Sequence, residues 1–219
     1  MTTRRNLLLT AGAGALAAGL LLWPRGADAP LLPGGAGAAN AQEAAAIADV
    51  TLGDPNAPVE VVEYASFTCP HCAAFHADTF PAFKRDYIDT GRVHFTYREV
   101  FFDRYGLWAA MVARCAGPDR YFGVSELIYR SQGDWARQSD PAAVAESLKR
   151  IGAQAGLSQD ELDACLTDGA QAQGLMSWYE ANAARDGVRS TPSFLVNGEM
   201  YSGNMSLDRL GALVAEAEG

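Results

Sequence analysis

Four cysteines occur in the chain, and two of them stand together as Cys69-Pro70-His71-Cys72. Thiols at this spacing lie across one helical turn, close enough for the two sulfurs to bond. The thiolate is the reactive form of cysteine. A helix N-terminus carries about half a positive charge and unpaired N–H groups, so a sulfur placed there has a lowered pKa. Cys69 sits just before the helix that follows and gains most from this field. Cys72 lies one turn inside. His71, between them, can add a donor or a positive charge. Stabilising the thiolate stabilises the reduced pair, which makes the disulfide a strong oxidant.

Other uses of the pair fit less well. A structural zinc site needs four ligands. Only His76 lies at a suitable distance, and Cys115 and Cys165 are isolated in the sequence. Haem attachment needs His directly after the second Cys, and position 73 is Ala. An inert structural disulfide would close too short a loop to add much stability. Redox chemistry remains, and neither a metal nor a cofactor is expected.

The pair must be held by a strand and a helix. Val59 to Ala65 is a β-branched run after a turn-rich stretch, and reads as a mostly buried strand. A helical pattern follows through Phe75, Phe80, Phe83 and Tyr87, and Pro81 should kink it. Arg92 to Val100 alternates and reads as a second strand. From Asp103 to about Arg185 there is no strand signal. Asp140-Pro141 reads as a cap with proline at the first helical position, and Ser158-Gln159-Asp160-Glu161 as a capping box. Ser193 to Val196, Asn197-Gly198 and Glu199 to Tyr201 form a hairpin pattern, and Ser206 can cap a last helix. The order is strand, helix, strand, helical block, hairpin, helix. A C-x-x-C between the first strand and helix of such a pattern is a thioredoxin-like signature. The expected fold is α/β, thioredoxin-like, with an inserted helical domain at about 103–185.

The first 41 residues read as a signal peptide and spacer, and residues 42–219 as the folded domain. Arg4 and Arg5 precede an uncharged run from Leu7 to Leu22, and Ala39-Asn40-Ala41 suits cleavage before Gln42. Thr3-Arg4-Arg5-Asn6-Leu7-Leu8 resembles a twin-arginine signal. Paired arginines also open general secretory signals, so both export routes stay open. An uncleaved anchor is the alternative, since Leu7 to Trp23 sits at the short end of the spanning range. Losing residues 1–41 removes Arg4, Arg5, Arg25 and Asp28 and deepens the net charge from −9 to −11. An acidic protein is a poor polyanion binder, so nucleic acid is not an expected partner. An exported, periplasmic destination permits stable disulfides.

The segment Val61 to Cys72 resembles the active-site strand and helix start of the DsbA-type thiol:disulfide oxidoreductases. Gly187-Val188-Arg189-Ser190-Thr191-Pro192-Ser193-Phe194 and the hairpin after it resemble that family's cis-proline loop. The similarity runs from about Val50 to the C-terminus. It implies that Cys69 is the exposed nucleophile and Cys72 the buried resolving partner, in a catalytic tetrad with Pro70 and His71. A depressed cysteine pKa and an oxidising disulfide are documented for this family as a class. Pro192 would be cis beside the cysteines, and the Thr191 backbone would pair with an extended substrate segment. Enteric oxidases of the family carry Val before the proline, whereas Thr is common in the isomerases.

Glu63 stands where the family has an acidic residue beneath the active site. It is either a solvent-facing strand residue or a partly buried carboxylate with a raised pKa that moves protons at Cys72. Glu60 is a weaker candidate, and His94 reads as structural. Related bacterial sequences carry a second disulfide in the helical region, which implies a structural Cys115–Cys165 bridge. Tyr97, Phe101, Phe102, Tyr105 and Trp108 serve mostly as core, with a peptide groove as the alternative.

The resulting expectation is a thiol:disulfide oxidoreductase that introduces disulfides into exported proteins. Its partners would be exported proteins with free thiols and a membrane or small-molecule reoxidant. A disulfide isomerase or reductase is the nearest alternative. The stretch from Gln42 to Pro58 is too short for the dimerisation module of a familiar isomerase. A metal- or peptide-binding periplasmic protein is the rival from another class.

Overall fold

The computed structural model describes residues 47–219, so the stretch read as a signal peptide and spacer, with its expected cleavage site, lies outside the described residues. The frame is a five-stranded mixed sheet in which β1 (Val50–Leu52), β3 (Val93–Glu99), β2 (Val59–Ala65), β4 (Ser193–Val196) and β5 (Glu199–Ser202) lie side by side in that order. Its centre is β2, Val59–Ala65, buried except at Glu60. Both faces of β2 are covered, which explains the nearly unbroken apolar run in its sequence. β3, Val93–Glu99, lies parallel to β2, with Glu63 opposite Tyr97. On the other side β4, Ser193–Val196, runs antiparallel, with Glu63 opposite Phe194. β5, Glu199–Ser202, closes the hairpin. Asn197 and Gly198 take φ values of 45° and 88°, the positive angles that make Asn-Gly suit a two-residue hairpin.

The strand β1, Val50–Leu52, pairs antiparallel with β3 and was not anticipated. Three residues are too few to show alternation, and the strand is fixed by its pairing with Phe95 to Tyr97.

Helix α1, Pro70–Asp78, begins with Cys69 in extended backbone as its N-cap and Pro70 in the first turn. The sequence suggests one helix kinked at Pro81. Instead the helix stops at Thr79, whose hydroxyl donates to the Met205 carbonyl at 3.0 Å. Helix α2, Phe80–Phe83, then restarts with Pro81 in its first turn and runs into a π-helical turn, Lys84–Ile88. Proline in a first turn loses no helical hydrogen bond, so the break precedes it.

The helical block comprises α3 (Arg104–Cys115), α4 (Pro118–Arg130), α5 (Gln132–Trp135), α6 (Pro141–Gln154), α7 (Gln159–Thr167) and α8 (Gly169–Asp186). Asp140 caps α6 through the Ala142 amide at 3.0 Å, and Ser158 and Glu161 form the capping box of α7. Helix α9, Leu207–Ala217, is capped by Ser206 and returns to the sheet.

Two ion networks tie this block to the strands. Arg114 of α3 forks onto Glu99 of β3 at 2.6 and 2.7 Å, and the Tyr121 hydroxyl donates to Glu99 at 2.7 Å. The Glu99 carboxylate is thus buried with its charge paired and its oxygens bonded, as burial requires. At the end of α8, Asp186 accepts from Tyr64 of β2 at 2.5 Å and from Arg98 of β3 at 3.0 Å. Burial and the Asp186 bond push the Tyr64 hydroxyl pKa up to about 12, so it stays a donor. This second network fixes the start of the loop that leads to Pro192.

Cys115 and Cys165 form a disulfide that joins α3 to α7, with their Cα atoms 6.2 Å apart and 50 residues between them in sequence. In the chain-entropy account, a loop of that size stabilises the fold by about 4 kcal/mol. The double variant Cys115→Ala/Cys165→Ala is expected to lose about 2–4 kcal/mol in denaturant unfolding while keeping its far-UV circular dichroism. An unchanged unfolding midpoint would show that the bridge carries no stability.

Candidate active site

The end of β2 delivers Ser66-Phe67-Thr68 to the mouth of α1. The Cys69 amide donates to the Ser66 carbonyl at 3.0 Å, and the Cys69 carbonyl accepts from Ala73 at 3.1 Å. The Thr68 hydroxyl donates to Asp103 at 2.8 Å, and the same carboxylate caps α3 through the amides of Tyr105 and Gly106. Gln132 of α5 donates to the carbonyls of Phe67 and Cys69 at 2.8 and 3.0 Å. Sequence reasoning missed Gln132, because no motif surrounds it and it lies 63 residues from Cys69.

The loop before β4 brings Thr191 and Pro192 to the sulfurs. The Thr191–Pro192 peptide bond is cis. The Cys69 thiol donates to the Thr191 carbonyl at 3.4 Å.

The two thiols, both reduced in this structure, differ sharply. The Cys69 pKa is lowered to about 5, against an ordinary value of 9.0. The largest cause is a hydrogen bond from the Cys72 thiol, opposed by partial burial. Thr191 of the cis-proline loop lowers it further. The main-chain amides of Cys72 and His71 add to this. Cys72 is shifted the other way, far above the ordinary thiol range. Burial is the main cause, followed by the Cys69 bond and the charge of Glu63.

Cys69 is less open than a nucleophile at the surface. Its exposure is 9%, while Cys72 has none, because the cis-proline loop covers the first sulfur. Pro70 and His71 are exposed. It is the His71 main-chain amide that serves the sulfur, whatever its imidazole adds.

Glu63 is wholly buried. Its Oε2 lies 3.0 Å from His76 Nε2, an interaction that the sequence reading did not foresee. His76 is four residues after Cys72 on α1, so helical spacing turns both toward the sheet. That spacing is the signal that could have paired it with Glu63 rather than with a metal. The His76 ring stacks on Tyr129 at 4.5 Å, and the Tyr129 and Tyr97 hydroxyls meet at 2.6 Å. Glu60 is exposed near the start of β2, and His94 lies opposite it on β3. Of the aromatic group, Tyr97 and Phe101 are core, Tyr105 and Trp108 are half-buried, and Phe102 is 59% exposed.

The thioredoxin family profile matches residues 45–216. A provisionally named protein-disulfide oxidoreductase of Rickettsia typhi is 35% identical over 170 residues, covering 77% of this chain and 62% of that protein. The chain thus spans about three-fifths of that relative's length. The crystal structure of alpha-DsbA1 from Wolbachia pipientis superposes with a TM-score of 0.73 at 30% identity, covering 78% of this chain and 91% of that one. This chain belongs to the DsbA-type branch of the thioredoxin family. Disulfide bond formation protein D of Bacillus subtilis is 36% identical over 108 residues, covering 46% of this DsbA-type chain and 49% of that protein.

The low Cys69 pKa makes the stability of the reduced DsbA-type protein depend on pH. Its folded value lies below the unfolded one, so the stabilisation is complete above about 9 and is lost as pH falls through about 5. The oxidised protein has no thiolate at Cys69. The melting temperature of the reduced form should therefore fall relative to that of the oxidised form between about pH 8.5 and pH 4.5. Parallel curves across that window would contradict the assignment.

Proposed function

We propose that this protein is an exported thiol:disulfide oxidoreductase that donates its Cys69–Cys72 disulfide to proteins with free thiols. The observation that carries this reading is the asymmetry of the pair, with Cys69 at about 5 and Cys72 far above the thiol range. A substrate thiolate attacks Cys69 of the oxidised protein, and Cys72 leaves and takes up a proton. A second substrate thiolate then attacks the sulfur bound to Cys69. The substrate disulfide forms, and Cys69 departs as a stabilised thiolate. Two electrons pass from substrate to protein.

The cis-proline loop suits substrate binding. The Thr191 main chain lies beside Cys69 and can pair with an extended segment, as in strand addition. Proposed partners are exported proteins with free thiols, together with a membrane or small-molecule reoxidant. Periplasmic residence rests on the signal-like residues 1–41. Among the described residues, no helix is long and apolar enough to cross a membrane.

The test is oxidative refolding of a reduced two-thiol substrate, with glutathione disulfide as terminal oxidant. Catalytic amounts of the protein should accelerate disulfide formation. Cys69→Ser should abolish the effect, and Cys72→Ser should trap Cys69 in mixed disulfides. Full turnover by Cys72→Ser would overturn the assigned roles. His71→Ala keeps the main-chain amide and removes the imidazole. It is expected to raise the Cys69 pKa by about one unit, followed by thiolate absorbance. An unchanged pKa would assign the whole of that residue's effect to its amide.

A further inference from the structure

A cavity of about 500 Å³ opens between α1, α2 and α4. His76 and Tyr129 line it, with Lys84, Glu126 and Arg130 also in its wall. Cys69, Thr191 and Pro192 take no part in it. His76 thus touches two things at once: this cavity, and the wholly buried carboxylate of Glu63 at 3.0 Å.

Redox turnover needs a proton at a place that solvent does not reach. When a substrate thiolate takes Cys69, the released Cys72 thiolate must gain a proton. When the reduced protein is reoxidised, the Cys72 thiol must lose one before its sulfur attacks Cys69. Cys72 has no exposure, and neither has Glu63.

We propose that His76 and this cavity form a proton route between bulk water and the Glu63–Cys72 pair. The route is separate from the surface where substrate meets Cys69. The inference rests on the oxidoreductase reading above.

The groups facing His76 narrow the choice of carrier. They are Glu63 from β2, Tyr97 from β3 and Tyr129 from α4, with Cys72 four residues earlier on α1 itself. Burial holds both tyrosines well above their ordinary range, so neither gives up its proton near neutral pH. Of the cavity's charges, Lys84 is paired with Asp89 at 2.6 Å and Arg130 with Glu126. Imidazole is the side chain that gains and loses a proton near neutrality. Glu63 Oε1 is buried with no hydrogen-bond partner, so the carboxylate has an oxygen available besides the one that His76 holds. On reoxidation the proton passes from Cys72 to Glu63, then to His76, then to water in the cavity. In substrate oxidation it travels the other way. His76 acts through Glu63 and is a positioning residue in this scheme.

The test follows one step, release of glutathione from a Cys69 mixed disulfide by Cys72, in single-turnover rapid-quench measurements. His76→Gln can keep a hydrogen bond to Glu63 but cannot carry a proton. It should slow this step about 10-fold or more near neutral pH and leave the thiolate titration of Cys69 in place. In His76→Ala, added imidazole should restore the rate by entering the cavity. Gly123 lines the cavity, and a Cβ there meets nothing within 4 Å, so Gly123→Trp can narrow the opening without disturbing the backbone. That change should weaken imidazole rescue in the His76→Ala background. Wild-type release rates in His76→Gln, or no rescue in folded His76→Ala, would overturn the inference. If His76→Ala does not fold, the His76→Gln rate decides. A wild-type protein that exchanges no thiols at Cys69 would overturn the functional reading itself, which is a different result.

Discussion

A charged sulfur at the start of a helix persists only if enough donors converge on it, and for Cys69 they come from two separate parts of the chain. The Cys72 thiol and the amides of α1 come from its own helix, and Thr191 comes from a loop 122 residues away. Much of the architecture can be read as what brings these groups together. β2 ends where α1 must begin, and Gln132 and Asp103 hold the connecting loop. The Tyr64–Asp186–Arg98 network fixes the end of α8, from which the cis-proline loop departs. β4 pairs directly with β2, which sets that loop against the sulfur.

The second constraint lies below the sulfurs. Cys72 and Glu63 are both buried, and the charge of Glu63 makes ionisation of Cys72 harder. An unpaired buried carboxylate is costly, and the His76 contact reduces that cost while adding a titratable group beside the site. The same contact carries the pair to the wall of a cavity. Thiolate stabilisation at Cys69 and proton movement at Cys72 are therefore served by different sides of α1.

The sequence made the frame legible where physics is local. The apolar run of β2, the Asn-Gly turn and the caps at Asp140, Ser158 and Ser206 depend on near neighbours. The tetrad was legible because helix-start chemistry needs only four residues. The Cys115–Cys165 link and the cis bond at Pro192 came from family resemblance and not from any local rule. What stayed hidden depends on contacts distant in sequence. β1 exists because β3 offers it a partner, and Gln132 matters because of carbonyls it reaches from another helix. The Thr79 hydroxyl at the helix break finds its acceptor in the Met205 carbonyl, 126 residues on. His76 was visible only as a histidine in a helix, and its role appears once β2 places Glu63 beneath it.

The central claim is that the reduced pair is stabilised through the Cys69 thiolate, so that the disulfide is an oxidant. The reduction potential of the Cys69–Cys72 couple, measured by equilibration with glutathione, tests this most directly. Each 30 mV corresponds to about 1.4 kcal/mol between the two redox states. The account predicts a potential well above the cytosolic glutathione range of about −220 to −260 mV. A potential near about −270 mV, the thioredoxin value, would contradict it and assign the protein to reduction instead.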